Sequence, residues 1–205
     1  RPRPLPLPAG VGRRFRDRMV LLVRQIREAL SGTFGGDDYL AQVRAESAKL
    51  QQVIAEEMEA LRTEARASGL DIVQSPQGAS VVPIDAEGQP ANLDEFPPEE
   101  QERLKEKGRE VGEKLNALNR HAAQQQAEMG ARVMEITQGA ADSALDVQFE
   151  AVRGEFSGYG GVVRWLVEMR TDVLENLQLF APDEQPGVRR ELPEDRYAVN
   201  LFVDH

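Results

Sequence analysis

The stretch LKEKGREVGEKLNALNRHAAQQQAEM, Leu104 to Met129, decides the architecture. Within it Val111, Leu115, Leu118, Ala122, Gln125 and Met129 recur at alternating steps of four and three. That spacing keeps one seam of a helix turned toward one partner. A second stripe of the same kind runs through Leu40, Val43, Leu50, Ile54, Leu61 and Ala65. Two long helices of similar pitch, separated by a short segment with strand character, predict an antiparallel hairpin that projects from a body.

Working outward, the seam continues through Val133, Ile136 and Ala140 after an extra step of four, a stutter that locally unwinds a supercoil. Leu145, Phe149, Val152 and Phe156 carry the apolar face into the body. Upstream, Pro97-Pro98 opens this helix, and Glu99, Glu100 and Glu102 suit its positive amide end. The preceding helix spans about Tyr39 to Ala67, with Asp37 or Asp38 as its cap and Ser68-Gly69 as its stop. Between the helices, Leu70, Ile72 and Val73, then Val81, Val82 and Ile84, flank Ser75-Pro76-Gln77-Gly78. This pattern predicts two short strands around a turn. A lone two-stranded ribbon is marginal, and Asn92 to Phe96 is placed to cover it.

The first helix is expected from about Arg13, with Phe15, Met19, Leu22, Val23, Ile26 and Leu30 on one face and Ser31-Gly32 ending it. Ser157 to Gly161 is a break, followed by a last helix from Val162 to Leu179 and a polar loop over 181–195. Leu5 and Leu7, set among alternating prolines, read as an edge-like extended piece. Tyr197, Val199, Leu201 and Val203 alternate as a strand with no sheet to join, which predicts a fragment of a larger fold. The expected organisation is a base formed by 1–38 and 154–205, and a helical arm over 39–153 whose tip is 70–97.

The composition narrows the function classes. At 205 residues with 40% hydrophobic content, the chain holds one large or two small domains. Its formal charge of −10 argues against broad binding to nucleic acid or anionic membranes. The absence of cysteine excludes disulfides and thiolate metal sites and fits a reducing cytoplasm. No run approaches the roughly 20 apolar residues of a membrane span.

Catalytic motifs are missing. Gly10-Val11-Gly12-Arg13-Arg14 lacks the lysine and spacing of a phosphate loop. His121 and His205 form no metal-binding pattern, and loop serines have no identifiable base. No catalytic, cofactor or metal residue is assigned. Two groups remain as contact candidates. Leu70, Ile72, Val73, Val81, Val82, Ile84, Leu93 and Phe96 form either a small tip core or an apolar surface for exposed hydrophobic segments. Arg13, Arg14, Arg16 and Arg18 are either a solvated surface or a contact for an anion or neighbouring subunit, and Trp165 is either a core anchor or an interface residue.

Four pieces carry a family resemblance: Leu5 to Met19, Leu70 to Gly78, Asp172 to Leu177, and Arg196 to Asp204. In order and spacing they resemble Lon-related, AAA+-type ATP-dependent proteases, the bacterial group near the LonB and LonC types. The resemblance implies a mainly α fold: a coiled-coil-like hairpin with a β-ribbon tip, a helical body, and terminal strands cut from an α/β ATPase-like module. It places the Walker motifs, any ATP and magnesium, and the Ser-Lys dyad outside these residues. It implies a non-catalytic insertion that captures or gates unfolded and misfolded proteins for a cytoplasmic, hexameric serine endopeptidase. The competing expectation is a coiled-coil scaffold or oligomerisation module; a nucleic-acid adaptor rests on the early arginines alone.

Overall fold

The structure, a computed structural model, describes residues 4–75, 78–180 and 192–201. Five helices and one ribbon follow in order: α1 (Val11–Phe34), α2 (Asp37–Ala67), β1 (Leu70–Ser75), β2 (Gly78–Pro83), α3 (Pro98–Glu155), α4 (Gly160–Glu175) and the short α5 (Pro193–Arg196). Single 3₁₀ turns occupy Leu93–Glu95 and Leu177–Phe180. The chain is mainly α, and its contacts separate it into two compact units, Arg44–Val133 and Arg1–Val43 with Met134–His205.

In the first of these units, α2 and α3 run antiparallel. Arg132 bonds Glu46 at 2.8 Å, His121 meets Glu57 at 3.1 Å, and Lys114 pairs with Glu64. From 46 to 57 and from 132 to 121 is eleven residues; from 57 to 64 and from 121 to 114 is seven. Equal steps in opposite directions fix one register along this length. The expected seam faces inward: Leu50, Leu61, Ala65, Leu104, Val111 and Leu115 are buried. Full burial of one such leucine contributes about 1.5–3 kcal/mol. Exposed ion pairs contribute far less, so the apolar seam holds the hairpin and the charged pairs set its register. Between Asn116 and Val133, α3 offers only half-buried seam residues, among them Leu118, Ala122, Gln125 and Met129.

The α2 helix stops where Gly69 turns left-handed at φ 80°. The Ser68 and Gly69 amides donate to the carbonyls of Ala65 and Arg66. A Cβ at Gly69 would sit 3.3 Å from Leu104 Cδ2, so both conformation and space favour glycine. The chain then enters the antiparallel ribbon, with Leu70 opposite Pro83, Ile72 opposite Val81 and Ser75 opposite Gly78. Leu70 and Ile72 join Leu61, Ala65, Leu104, Val111 and Leu115 in one core, with Val81, Leu93 and Phe96 packed against it.

The other unit is built on three helices. Phe15, Met19, Leu22, Val23, Ile26 and Leu30 of α1 pack with Ala141, Leu145, Phe149 and Val152 of α3 and with Val162, Leu166, Met169 and Val173 of α4. Phe156 meets Phe15 edge-on at 5.2 Å, and Trp165 meets the same ring at 5.6 Å.

Several expected boundaries move. The α1 helix passes Ser31-Gly32 and ends at Phe34, where the Gly35 amide donates back to the Ser31 carbonyl. Asp37 and Asp38 lie inside the first turn of α2, where negative charge favours the amide end. The α4 helix ends at Glu175, because the Asn176 side chain bonds the Asp172 carbonyl and a 3₁₀ turn follows.

The expected terminal strands do not form among the described residues. Leu5 and Leu7 are half-buried against the three-helix core, in a segment whose prolines cannot donate to a ladder. Near the other end, Pro193–Arg196 is a helical turn, and Tyr197 stacks on Phe180 rather than entering a sheet. Pro76 and Gln77 of the expected turn, most of the 181–195 loop, Phe202 to His205, and the first three residues lie outside the described residues.

Candidate functional site

The ribbon end of the hairpin gathers the tip candidates, and the structure sorts them into two sets. Leu70 and Ile72 are buried, and Val81, Leu93 and Phe96 pack on them as part of the local core. Val73, Val82 and Ile84 are half-buried and stand outside that core. Strand alternation accounts for the division. Side chains at 70 and 72 share one face with 81, while 73 shares the other with 82 and 84.

The outer edge of β1 is held by side chains of α2 and of the strand itself. Arg62 Nη2 donates to the Ile72 carbonyl at 2.8 Å, and the Ile72 amide donates to Asp71 Oδ1 at 2.8 Å. Arg66 Nη2 donates to Asp71 Oδ2 at 2.9 Å, and Arg62 Nε lies 3.2 Å from Asp71 Oδ1. The Arg66 hydrogen bond, with further help from the Ile72 amide, holds the Asp71 carboxyl below the usual carboxylate range. Sequence reading missed Asp71. Its signal was available: Arg62 and Arg66 stand four apart on one helix face, just ahead of an aspartate that interrupts an apolar strand.

The arginine cluster is largely engaged with its own surroundings. Arg14 lies over the Phe156 ring at 5.2 Å, a cation–π contact. Arg16 pairs with Asp17, and Arg18 bonds both Glu155 and Gln25. Arg13 is exposed. Trp165 is half-buried against the three-helix core.

A second polar network also escaped the sequence reading. Asp172 accepts from Arg196 Nε, Arg196 Nη2 and Tyr197 Oη, each at 2.7 Å. Arg196 is the chief cause that lowers the Asp172 carboxyl, while burial is the chief cause that raises the Tyr197 phenol. Beside it, a groove of about 180 Å³ is lined by Arg16, Met19, Val20, Val23, Glu194, Tyr197, Ala198 and Val199.

Among the described residues no three His, Cys, Asp or Glu side chains converge as metal ligands, and no helix is long and apolar enough to cross a membrane. His121 faces Glu57 and Gln125 across and along the hairpin. No protein-family model matches the chain, and no curated protein matches it.

Proposed function

We propose that this chain is a substrate-handling insertion of a Lon-like, AAA+-type ATP-dependent serine endopeptidase. The ribbon end of its hairpin contacts unfolded or misfolded protein. The observation that carries the reading is the division at the ribbon: Leu70 and Ile72 complete a core, while Val73, Val82 and Ile84 present half-buried apolar surface outside it. The four sequence pieces between Leu5 and Asp204 motivate the family assignment. On this reading the ATPase and peptidase residues belong to the parent protein, a ring in the cytoplasm.

The inward-facing seam supports substrate contact over a scaffold role. A scaffold that recruits partner helices needs its apolar seam available, whereas here Leu50, Leu61, Val111 and Leu115 are consumed within the hairpin.

The test is binding of a fluorescent, reduced and carboxymethylated lactalbumin to the 205-residue chain and to Val73→Ser, Val82→Ser and Ile84→Ser variants. Circular dichroism confirms that the helices persist. Weaker binding by the variants is expected, and equal binding by all of them defeats the proposal. In the parent, removal of 40–150 should abolish degradation of the same protein while nucleotide hydrolysis continues.

A further inference from the structure

The two edges of the ribbon are treated differently. On β1, Ile72 has its amide bonded to Asp71 and its carbonyl bonded by Arg62. On β2, the lower end is closed: Pro83 has no amide hydrogen, and its carbonyl accepts from the Ala91 amide at 3.0 Å. The Ile84 amide donates to the Gly69 carbonyl on the β1 side. Antiparallel alternation then turns Val82 and Ser80 toward β1 and turns Val81 and Ala79 outward. Among the described residues, no strand and no side chain pairs with Ala79 or Val81 on that outer side.

Native sheets blunt exposed edges with charge, proline or bulges. From Gly78 to Val82 this strand carries no charge and no proline, and its register with β1 is regular. Alternating amide and carbonyl groups at strand spacing match one kind of ligand, an extended polypeptide backbone. The adjoining Val82 offers half-buried apolar surface to a side chain of such a segment, which must end before Ile84, where Pro90 already bridges the edge.

We infer that the outward edge of β2 at Ala79 and Val81 takes an extended segment of unfolded polypeptide as a third strand. This rests on the substrate-contact reading and adds a backbone-based mode that is indifferent to sequence. Two outward residues supply two amides and two carbonyls. That is a short grip, suited to a transient hold on a passing chain and small beside the roughly 1,200–2,000 Å² of a stable dimer.

The experiment is amide hydrogen exchange by NMR on the 205-residue chain, with the carboxymethylated lactalbumin as probe. In the free protein Ala79 and Val81 should exchange fast, and Ser80 and Val82 slowly. Saturating probe should slow Ala79 and Val81 by about tenfold or more. Ala79→Pro removes one outward donor without touching the internal ladder, and should weaken binding by about three- to tenfold. Slow exchange retained at Ser80 and Val82 shows that the ribbon of the variant is intact. A Thr-Val repeat pentapeptide should bind, and its N-methylated form should bind more weakly by a similar factor. If the probe binds but Ala79→Pro and N-methylation change nothing, the edge inference is overturned while substrate contact stands. If the wild-type chain binds neither probe, both fail. If Ala79 and Val81 become protected with rising protein concentration alone, the edge pairs with a second copy and the inference is overturned.

Discussion

Arg62 donates to the carbonyl of Ile72, ten residues further along the chain, and so ties α2 to the edge of β1. Asp71 stands beside this bond, 8% exposed, and accepts from Arg66 and from the Ile72 amide. Asp71→Ala removes the acceptor and strands its donors in a partly buried place. We expect a loss of about 1–3 kcal/mol, read by urea denaturation of the ribbon amides.

The same carboxylate gives acid sensitivity. Its folded-state pKa is depressed, so its contribution is complete above the unfolded-state value and is lost as pH falls through the folded one. Below ordinary carboxylate pKa values the wild type should lose its advantage over Asp71→Asn. A constant stability difference between the two at every pH contradicts this.

Tyr197 titrates at the other extreme. Burial and the Asp172 bond raise its phenol, so its contribution is present below the unfolded pKa of about 10 and lost as pH rises through the folded value. Tyr197→Phe should remove a tyrosinate absorbance step that lies above the ordinary phenol range. It should destabilise the neutral protein by about 0.5–1.5 kcal/mol.

Phe156→Ala empties a fully buried position in contact with Phe15. The expected cost is about 3–5 kcal/mol. Trp165, the single tryptophan, sits on the same Phe15 ring, so its fluorescence reports this loss directly in denaturant titration.

Gln125 occupies a half-buried seam position where heptad packing favours an apolar side chain. Gln125→Leu should stabilise the hairpin by about 1 kcal/mol, seen as slower amide exchange across Ala122 to Met129. A faster exchange would show that its contact with His121 outweighs burial.

The hairpin was legible because its signal is repetitive. Val111, Leu115 and Leu118 step by four and three, Leu50, Ile54 and Leu61 by four and seven, so both keep one heptad frame, and periodicity survives ignorance of everything else in the chain. The ribbon was legible from its turn residues and paired apolar runs. Terminal strands do not form among the described residues, and alternation at Tyr197, Val199 and Leu201 states only that one side is apolar. Here Tyr197 finds Phe180 and Asp172 instead of a neighbouring strand. Asp172 was invisible for a related reason: it is defined by Arg196, whose reach depends on how helices and turns end, and local sequence does not encode that distance. Asp71 did leave a local signal in the Arg62 and Arg66 pair, which does not by itself say which groups those side chains meet.

Matched intervals along α2 and α3 make the length of this hairpin adjustable. Deleting 51–57 together with 121–127 would excise two turns from each limb, about 10 Å at 1.5 Å per residue, and still leave Glu46 facing Arg132 and Glu64 facing Lys114. The ribbon could thus be drawn closer or, by the reciprocal insertion, moved farther away without rewriting it. Such a graded set of rulers would turn the separation between the ribbon and the Glu46–Arg132 pair into a quantity that an experimenter can dial.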